Sequence, residues 1–149
     1  MADVSKARLR LWLRLLKAQR RIEGELREKL RAEYSSTLPR FDVLAALDRN
    51  RDGLRMSELS GDLKVSNGNV TGIVERLVED GLVTRTPVAQ DRRAMKVQLT
   101  AEGISYFATL AEAHEAWVSE LLQSFDAEGA EQLSDTLDQL NISLESHND

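Results

Sequence analysis

The side chains able to carry chemistry are few. Cysteine is absent and histidine occurs twice, at His114 and His147. Without cysteine there are no disulfides, no thiol redox sensing and no cysteine-based metal sites. Two histidines without carboxylates at ligand spacing make a poor zinc site, so no metal is expected. His114 reads instead as a core or cleft residue. Serine, histidine and aspartate all occur, but no nucleophile motif joins them. There is no glycine-rich phosphate loop either. The expectation is therefore a protein that is not an enzyme and needs no cofactor.

What remains is the chemistry of recognition. Ser66, Asn67, Gly68, Asn69, Thr71, Glu75 and Arg76 crowd one helical face, opposite Val70, Ile73, Val74 and Leu77. A helix N-terminus favours phosphate through its dipole and free N–H groups. Asn bonds adenine bidentately in the major groove, and Thr meets the thymine methyl. Gly68 and Gly72 each cost about 1 kcal/mol against Ala in a helix, which close approach of the backbone to DNA would explain. The plainer reading of this face is a frayed, exposed helix. Further on, Arg92 and Arg93 sit on a polar loop. Projected, they would reach a minor groove, where narrow A·T segments attract Arg. Asp91 is expected to hold Arg93 by a charge-assisted hydrogen bond. Taken alone, an Asp-Arg-Arg run is more often a solvated turn.

These residues need elements to position them. Residues 4–33 hold no Pro and one Gly, and Leu9, Trp12, Leu13 and Leu16 fall at helical spacing. A helix of about 30 residues is roughly 45 Å long. One small domain cannot cover that length, so a second copy of the chain is expected against it. Pro39 suits the first turn of a helix running to about Asn50, and Asp52-Gly53 marks a turn. Ser57 is the expected cap of a short helix carrying Leu59 and Leu63, and Ser66 of the next, whose apolar face runs to Val78. Gly81 ends that helix. Leu82 to Thr86 reads as a strand stopped by Pro87, and Met95, Val97 and Leu99 alternate as a second strand. Between them lies a polar tip of about seven residues, longer than a tight two-residue turn. Thr100 and Glu102 open a helix carrying Ile104, Phe107, Leu110 and Ala111, with the pattern continuing through Trp117 and Leu121 to Phe125. Asp126 caps a last helix with Leu133, Leu137, Leu140 and Leu144 on one face. The result is a mainly α (α+β) chain of six helices and one hairpin. Its centre is ordered helix, turn, helix, strand, loop, strand: a winged helix-turn-helix.

Composition agrees with this. At 42% apolar and 30% charged residues the chain is globular. No run of about 18 apolar residues is present to cross a membrane. Charges at Lys6, Arg8, Arg10 and Arg14 interrupt the N-terminal apolar stretch, so no signal peptide is read and a cytoplasmic protein is expected. The net charge of −5 is unevenly spread, because every Lys and Arg lies within residues 1–99. Residues 100–149 carry acidic groups alone. Local field matters more than total charge for binding phosphate.

The segment Asp91-Arg92-Arg93-Ala94-Met95-Lys96-Val97-Gln98-Leu99-Thr100, followed by Gly103, resembles the wing motif of MarR-type transcriptional regulators. Val70-Thr71-Gly72-Ile73-Val74-Glu75-Arg76-Leu77, ending at Gly81-Leu82-Val83, resembles that family's recognition helix. The resemblance implies one domain over residues 1–149. Its dimerisation helices would be 4–33 and 101–146, around a DNA-binding lobe at 38–100 with the wing at 83–99. It implies a homodimer on a pseudo-palindromic double-stranded operator, usually a repressor released by a small molecule. The DNA-binding residues expected are Ser66, Asn67, Asn69, Thr71, Arg76, Asp91, Arg92, Arg93 and Lys96. Arg93 is the wing arginine by this resemblance and Asp91 its orienting partner.

The effector is less defined. Trp12, Phe41, Phe107 and Trp117 lie on elements that bound the family's ligand cleft, although a core role accounts for aromatics equally well. The first helix is basic, with Arg8, Arg10, Arg14, Lys17, Arg20 and Arg21. Such a face is either solvated or an anion site. The run from Leu9 to Leu16, with Thr37-Leu38-Pro39-Arg40-Phe41-Asp42, looks like the branch that senses hydroxycinnamoyl-coenzyme A thioesters. The ligand-binding residues expected are Arg8, Trp12, Leu16, Arg20, Arg40, Phe41, Phe107, His114 and Trp117. A free aromatic carboxylate is the alternative effector. A non-specific architectural DNA-binding protein is the alternative function.

Overall fold

A computed structural model describes residues 3–63 and 67–148. The elements run α1 (Val4–Tyr34), α2 (Leu38–Arg49), β1 (Leu54–Arg55), α3 (Met56–Leu63), α4 (Asn67–Glu79), β2 (Val83–Val88), β3 (Asp91–Leu99), α5 (Ala101–Leu121) and α6 (Ala127–Ser146). They fall into two compact units, Met1–Glu115 and Ala116–Asp149.

In the first unit, local chemistry sets most boundaries. Asp3 caps α1 by accepting the Ser5 N–H at 3.0 Å. Ser35, in the left-handed region at φ 50, ends it. The buried residues of α1 are Leu26 and Leu30, and Leu9, Leu11, Trp12 and Leu13 in its N-terminal half are all more than half exposed. Thr37 caps α2 through the Arg40 N–H at 3.2 Å, with Pro39 in the first turn. Phe41, Val43, Leu44, Ala46 and Leu47 of α2 form the centre of the core. Leu59 of α3 and Val70, Val74 and Leu77 of α4 close over it.

Several expected boundaries move. The helix α3 begins at Met56, so Ser57 lies inside its first turn. The N-terminus is held instead by Glu58, whose carboxylate accepts the Arg55 N–H at 2.9 Å. Ser66, the expected cap of α4, lies outside the described residues. Val78 is 40% exposed, because a residue eight positions on drifts off the buried stripe at 3.6 residues per turn. Gly81, at φ 77, ends the turn after α4, and Leu82 N–H closes back onto Leu77 C=O at 3.0 Å.

The sheet is antiparallel in the order β1-β3-β2. β1 was not foreseen, since two residues carry no alternation. It exists through its partner, with Leu54 opposite Val97 and Arg55 opposite Lys96. Pro87 does not stop β2. It pairs in register with Met95, and the strand runs on to Val88. β2 is an edge, where a missing N–H is tolerated. The tip is also tighter than expected. Val88 pairs with Asp91, leaving Ala89 and Gln90 as the turn. The register then shifts, so Arg92, Arg93 and Ala94 are extra residues on β3. Three residues without a pairing partner carry no period-2 alternation, which is why the stretch read as loop.

At the foot of the wing, Thr100 Oγ1 accepts the Gly103 N–H at 2.9 Å and donates to Gly81 C=O at 2.8 Å. A Cβ on Gly103 would overlap the Leu82 carbonyl. Phe107 and Leu110 of α5 are buried. The helix ends at Leu121, and Leu122 and Phe125 are exposed rather than continuing its face.

The second unit holds the last turn of α5 and all of α6. Asp126 caps α6 through the Gly129 N–H at 2.7 Å. No residue of α6 is buried, and Leu133, Leu140, Ile142 and Leu144 are all exposed. We expect Gly103→Ala to lower stability by about 3 kcal/mol, the upper end for overpacking, measured by urea denaturation. An unchanged midpoint would contradict the tight approach at Leu82.

Candidate nucleic-acid interface

The helix α4 is anchored by Val70, Val74 and Leu77, which leaves Asn69, Gly72, Glu75 and Arg76 exposed and Thr71 half-exposed. Asn67 and Gly68 begin the helix. Gly72 faces open space, with no atom within 4 Å of a Cβ built there, so its backbone is free to be approached closely. A cleft borders α4 on each side. One, of about 390 Å³, runs between α4, the start of α3 and the wing, and is lined by Arg55, Thr71, Arg85 and Arg93 among others. The second, of about 250 Å³, is lined by Thr37, Arg40, Asn69, Gly72, Ile73 and Arg76.

Ion pairs position some of these cations. Arg40 reaches Asp80 at 2.9 Å, tying the N-terminal turn of α2 to the end of α4. Arg85 of β2 approaches Glu75 of α4 at 3.8 Å. On the wing, Asp91 Oδ1 accepts the Arg93 backbone N–H at 3.0 Å. The expected carboxylate contact to Arg93 therefore falls on its main chain, not its guanidinium, and fixes the bulge. Lys96 stands on the central strand between Thr86 and Arg55, its stem packed over Gly53. Arg55 and Arg85 were missed from sequence. Arg85 lies between Thr84 and Thr86 in an outward-reading strand, a usable signal. Arg55 had none, because β1 itself was invisible.

A second cluster lies between α2 and α5. Phe41 packs on Phe107 with ring centroids 5.5 Å apart, and stacks on His114 at 4.3 Å and 25°. Phe41 and Phe107 are buried. Desolvation holds the His114 imidazole below its ordinary 6.5, opposed by the nearby Asp42 carboxylate. Desolvation likewise pushes Asp42 up, with His114 opposing and Glu23 adding to the rise. Of the nine expected ligand residues, the structure brings these three aromatic rings together. Arg40 sits in the cleft beside α4. Arg8 and Arg20 are exposed on α1, Trp12 is 54% exposed and Leu16 half-buried. Trp117 is buried and belongs to the second unit. Among the described residues, no group of three or more His, Cys, Asp or Glu is placed to hold a metal ion. No described helix is long and apolar enough to cross a membrane.

A short helix and, next in the chain, a second helix with a polar outer face, flanked by a hairpin, define a winged helix-turn-helix protein. Residues 36–95 match the MarR family. A MarR family transcriptional regulator from Silicibacter pomeroyi has a similar crystal structure, with TM-score 0.77 and 36% identity over 96% of this chain and 99% of that one. The HTH-type transcriptional regulator PecS of Dickeya dadantii is 29% identical over 103 residues, 68% of this chain and 62% of PecS. The match thus spans less than two thirds of that relative. A mutant MarR from E. coli, crystallised with operator DNA, shares the fold at TM-score 0.77 and 24% identity, over 93% of this chain and 99% of that one. The chain belongs to the MarR family.

The aromatic cluster sets a pH dependence. A histidine whose folded pKa is depressed binds fewer protons folded than unfolded, so its contribution is present above 6.5 and is lost as pH falls through the folded value. Asp42, whose pKa is raised, acts in the opposite sense in a lower window. We expect His114→Gln to flatten the fall in stability between about pH 7 and 5. Parallel wild-type and variant profiles in thermal melts would count against the buried stack.

Proposed function

We propose that the protein is a homodimeric transcriptional repressor, working in the cytoplasm, that binds a pseudo-palindromic double-stranded operator. An aromatic small molecule releases it. The observation that carries this reading is the exposed polar face of α4, bordered on both sides by arginine-lined clefts and overhung by the wing. Asn67, Asn69 and Thr71 are suited to base edges in a major groove. Ser66, Arg76 and Lys96 are assigned to the backbone, and Arg92 and Arg93 to the minor groove, with Asp91 shaping the bulge that presents them.

Dimerisation is supported by uncovered apolar surface on the terminal helices. Leu9, Trp12 and Leu13 of α1 and Leu133, Leu140 and Leu144 of α6 are all exposed. Their charges also differ in sign, since α1 is rich in arginine and residues 100–149 contain no Lys or Arg. Two chains that pair these helices bury the apolar rows and match the charges.

For the effector, the Phe41, Phe107 and His114 rings supply an aromatic wall. The finer reading is a hydroxycinnamoyl-coenzyme A such as p-coumaroyl-CoA, with Arg8 and Arg20 meeting its phosphates beside Trp12 and Leu16. A free aromatic carboxylate needs one arginine only.

The first test is titration of duplex from upstream of the protein's own gene. Arg93→Ala is expected to weaken binding by roughly 1–3 kcal/mol with unchanged far-UV circular dichroism. Wild-type affinity in that variant would remove the wing assignment, and equal affinity for random duplex would leave an architectural DNA binder. Release by p-coumaroyl-CoA alone supports the thioester reading, and release by free p-coumarate or salicylate the carboxylate. In sedimentation at micromolar concentration we expect twice the chain mass; a 16.7 kDa species would remove the dimer.

A further inference from the structure

We infer that the cleft between α4, the start of α3 and the wing is a seat for one DNA phosphate, contacted by Arg55 and Arg85 beside the Arg93 that is assigned to the minor groove. The inference rests on the DNA-binding reading above and assigns part of that surface.

Three features carry it. First, the cleft is lined by three arginines, and its described lining includes no carboxylate. Each arginine comes from a different strand: Arg55 from β1, Arg85 from β2 and Arg93 from the β3 bulge. The cations are therefore gathered by tertiary structure, not by a run of sequence. Like charges converging on one cleft repel, and an anion placed among them removes that repulsion. Second, the volume of about 390 Å³ admits a phosphate with bound water, each water taking about 30 Å³. Thr71, on the face of α4 assigned to base edges, is itself part of the cleft's lining. A duplex lying on that face presents its backbone there. Third, Arg85 is held across the cleft wall by Glu75 at 3.8 Å, with side chains 34% and 59% exposed. An exposed pair of this length adds little stability. Its effect is geometric, since one corner of the guanidinium fork is tethered toward α4 while other N–H groups stay available for an anion.

The test is the salt dependence of duplex binding by full-length wild type, Arg55→Ala, Arg85→Ala, Arg85→Lys and Glu75→Gln. Each phosphate contact contributes about 0.9 to the slope of log affinity against log salt. The expected result is a smaller slope in each alanine variant, by up to that amount because both arginines serve one phosphate, with affinity lost equally on operator and random duplex. Arg85→Lys should recover the slope, because lysine keeps the charge. Glu75→Gln should keep the wild-type slope, because it leaves the cation in place. Unchanged slopes in both alanine variants, or a loss confined to the operator, would overturn the phosphate seat and leave DNA binding standing. An equal loss of slope in Glu75→Gln would show Arg85 acting through its ion pair and would also overturn it. A wild type that binds no duplex removes the DNA-binding reading itself and this seat with it.

Discussion

The arrangement depends on one close contact, where Gly103 at the start of α5 meets the Leu82 carbonyl at the start of the wing. No side chain fits there. Thr100 locks the same point, accepting from Gly103 N–H and donating to Gly81 C=O, while its own N–H reaches Leu82 C=O at 3.0 Å. The end of α4, both ends of the hairpin and the beginning of α5 thus meet within four residues' hydrogen bonds. The recognition helix and the wing are consequently set relative to each other by backbone, which bends less than side chains do. A polar helix face and a basic hairpin become one surface only because this junction fixes the angle between them.

Charge is organised on the same principle of separation. A net charge of −5 would oppose nucleic acid if spread evenly. Instead Arg40, Arg55, Arg76, Arg85 and Arg93 line clefts beside α4, and the acidic surplus lies in the last third of the chain. Salt screens exposed charges from one another over about 8–10 Å, so the field at a cleft is set chiefly by the groups that line it.

The helix α2 joins the two sites. Arg40 faces the cleft beside α4 and is tied to Asp80, whereas its neighbour Phe41 is buried against Phe107 and His114. Successive helical residues diverge by about 100°, so one turn of α2 touches both environments. A rigid shift that alters the packing of Phe41 also moves Arg40 relative to α4. On the proposed function, that would be a mechanical route from the aromatic cluster to the face of α4.

Helix periodicity, capping residues and glycine placement were legible in the chain because they are local. The apolar spacing of Val70, Val74 and Leu77, the helix starts at Thr100 and Asp126, and the stop at Gly81 each depend on residues within a few positions. The family, too, was legible from two short motifs, since recognition helices and wings carry their chemistry in contiguous residues. Tertiary structure decided what depends on partners distant in sequence. β1 is a strand only because Val97 and Lys96 lie beside it. Pro87 stays in β2 because that strand is an edge, and Arg93 projects from a bulge because Pro87 pairs with Met95. Arg55 and Arg85 share a cleft with Arg93 although the first two stand 30 positions apart in the chain. Composition could establish that the chain is basic early and acidic late. Only folding could decide which of those cations face the same point in space.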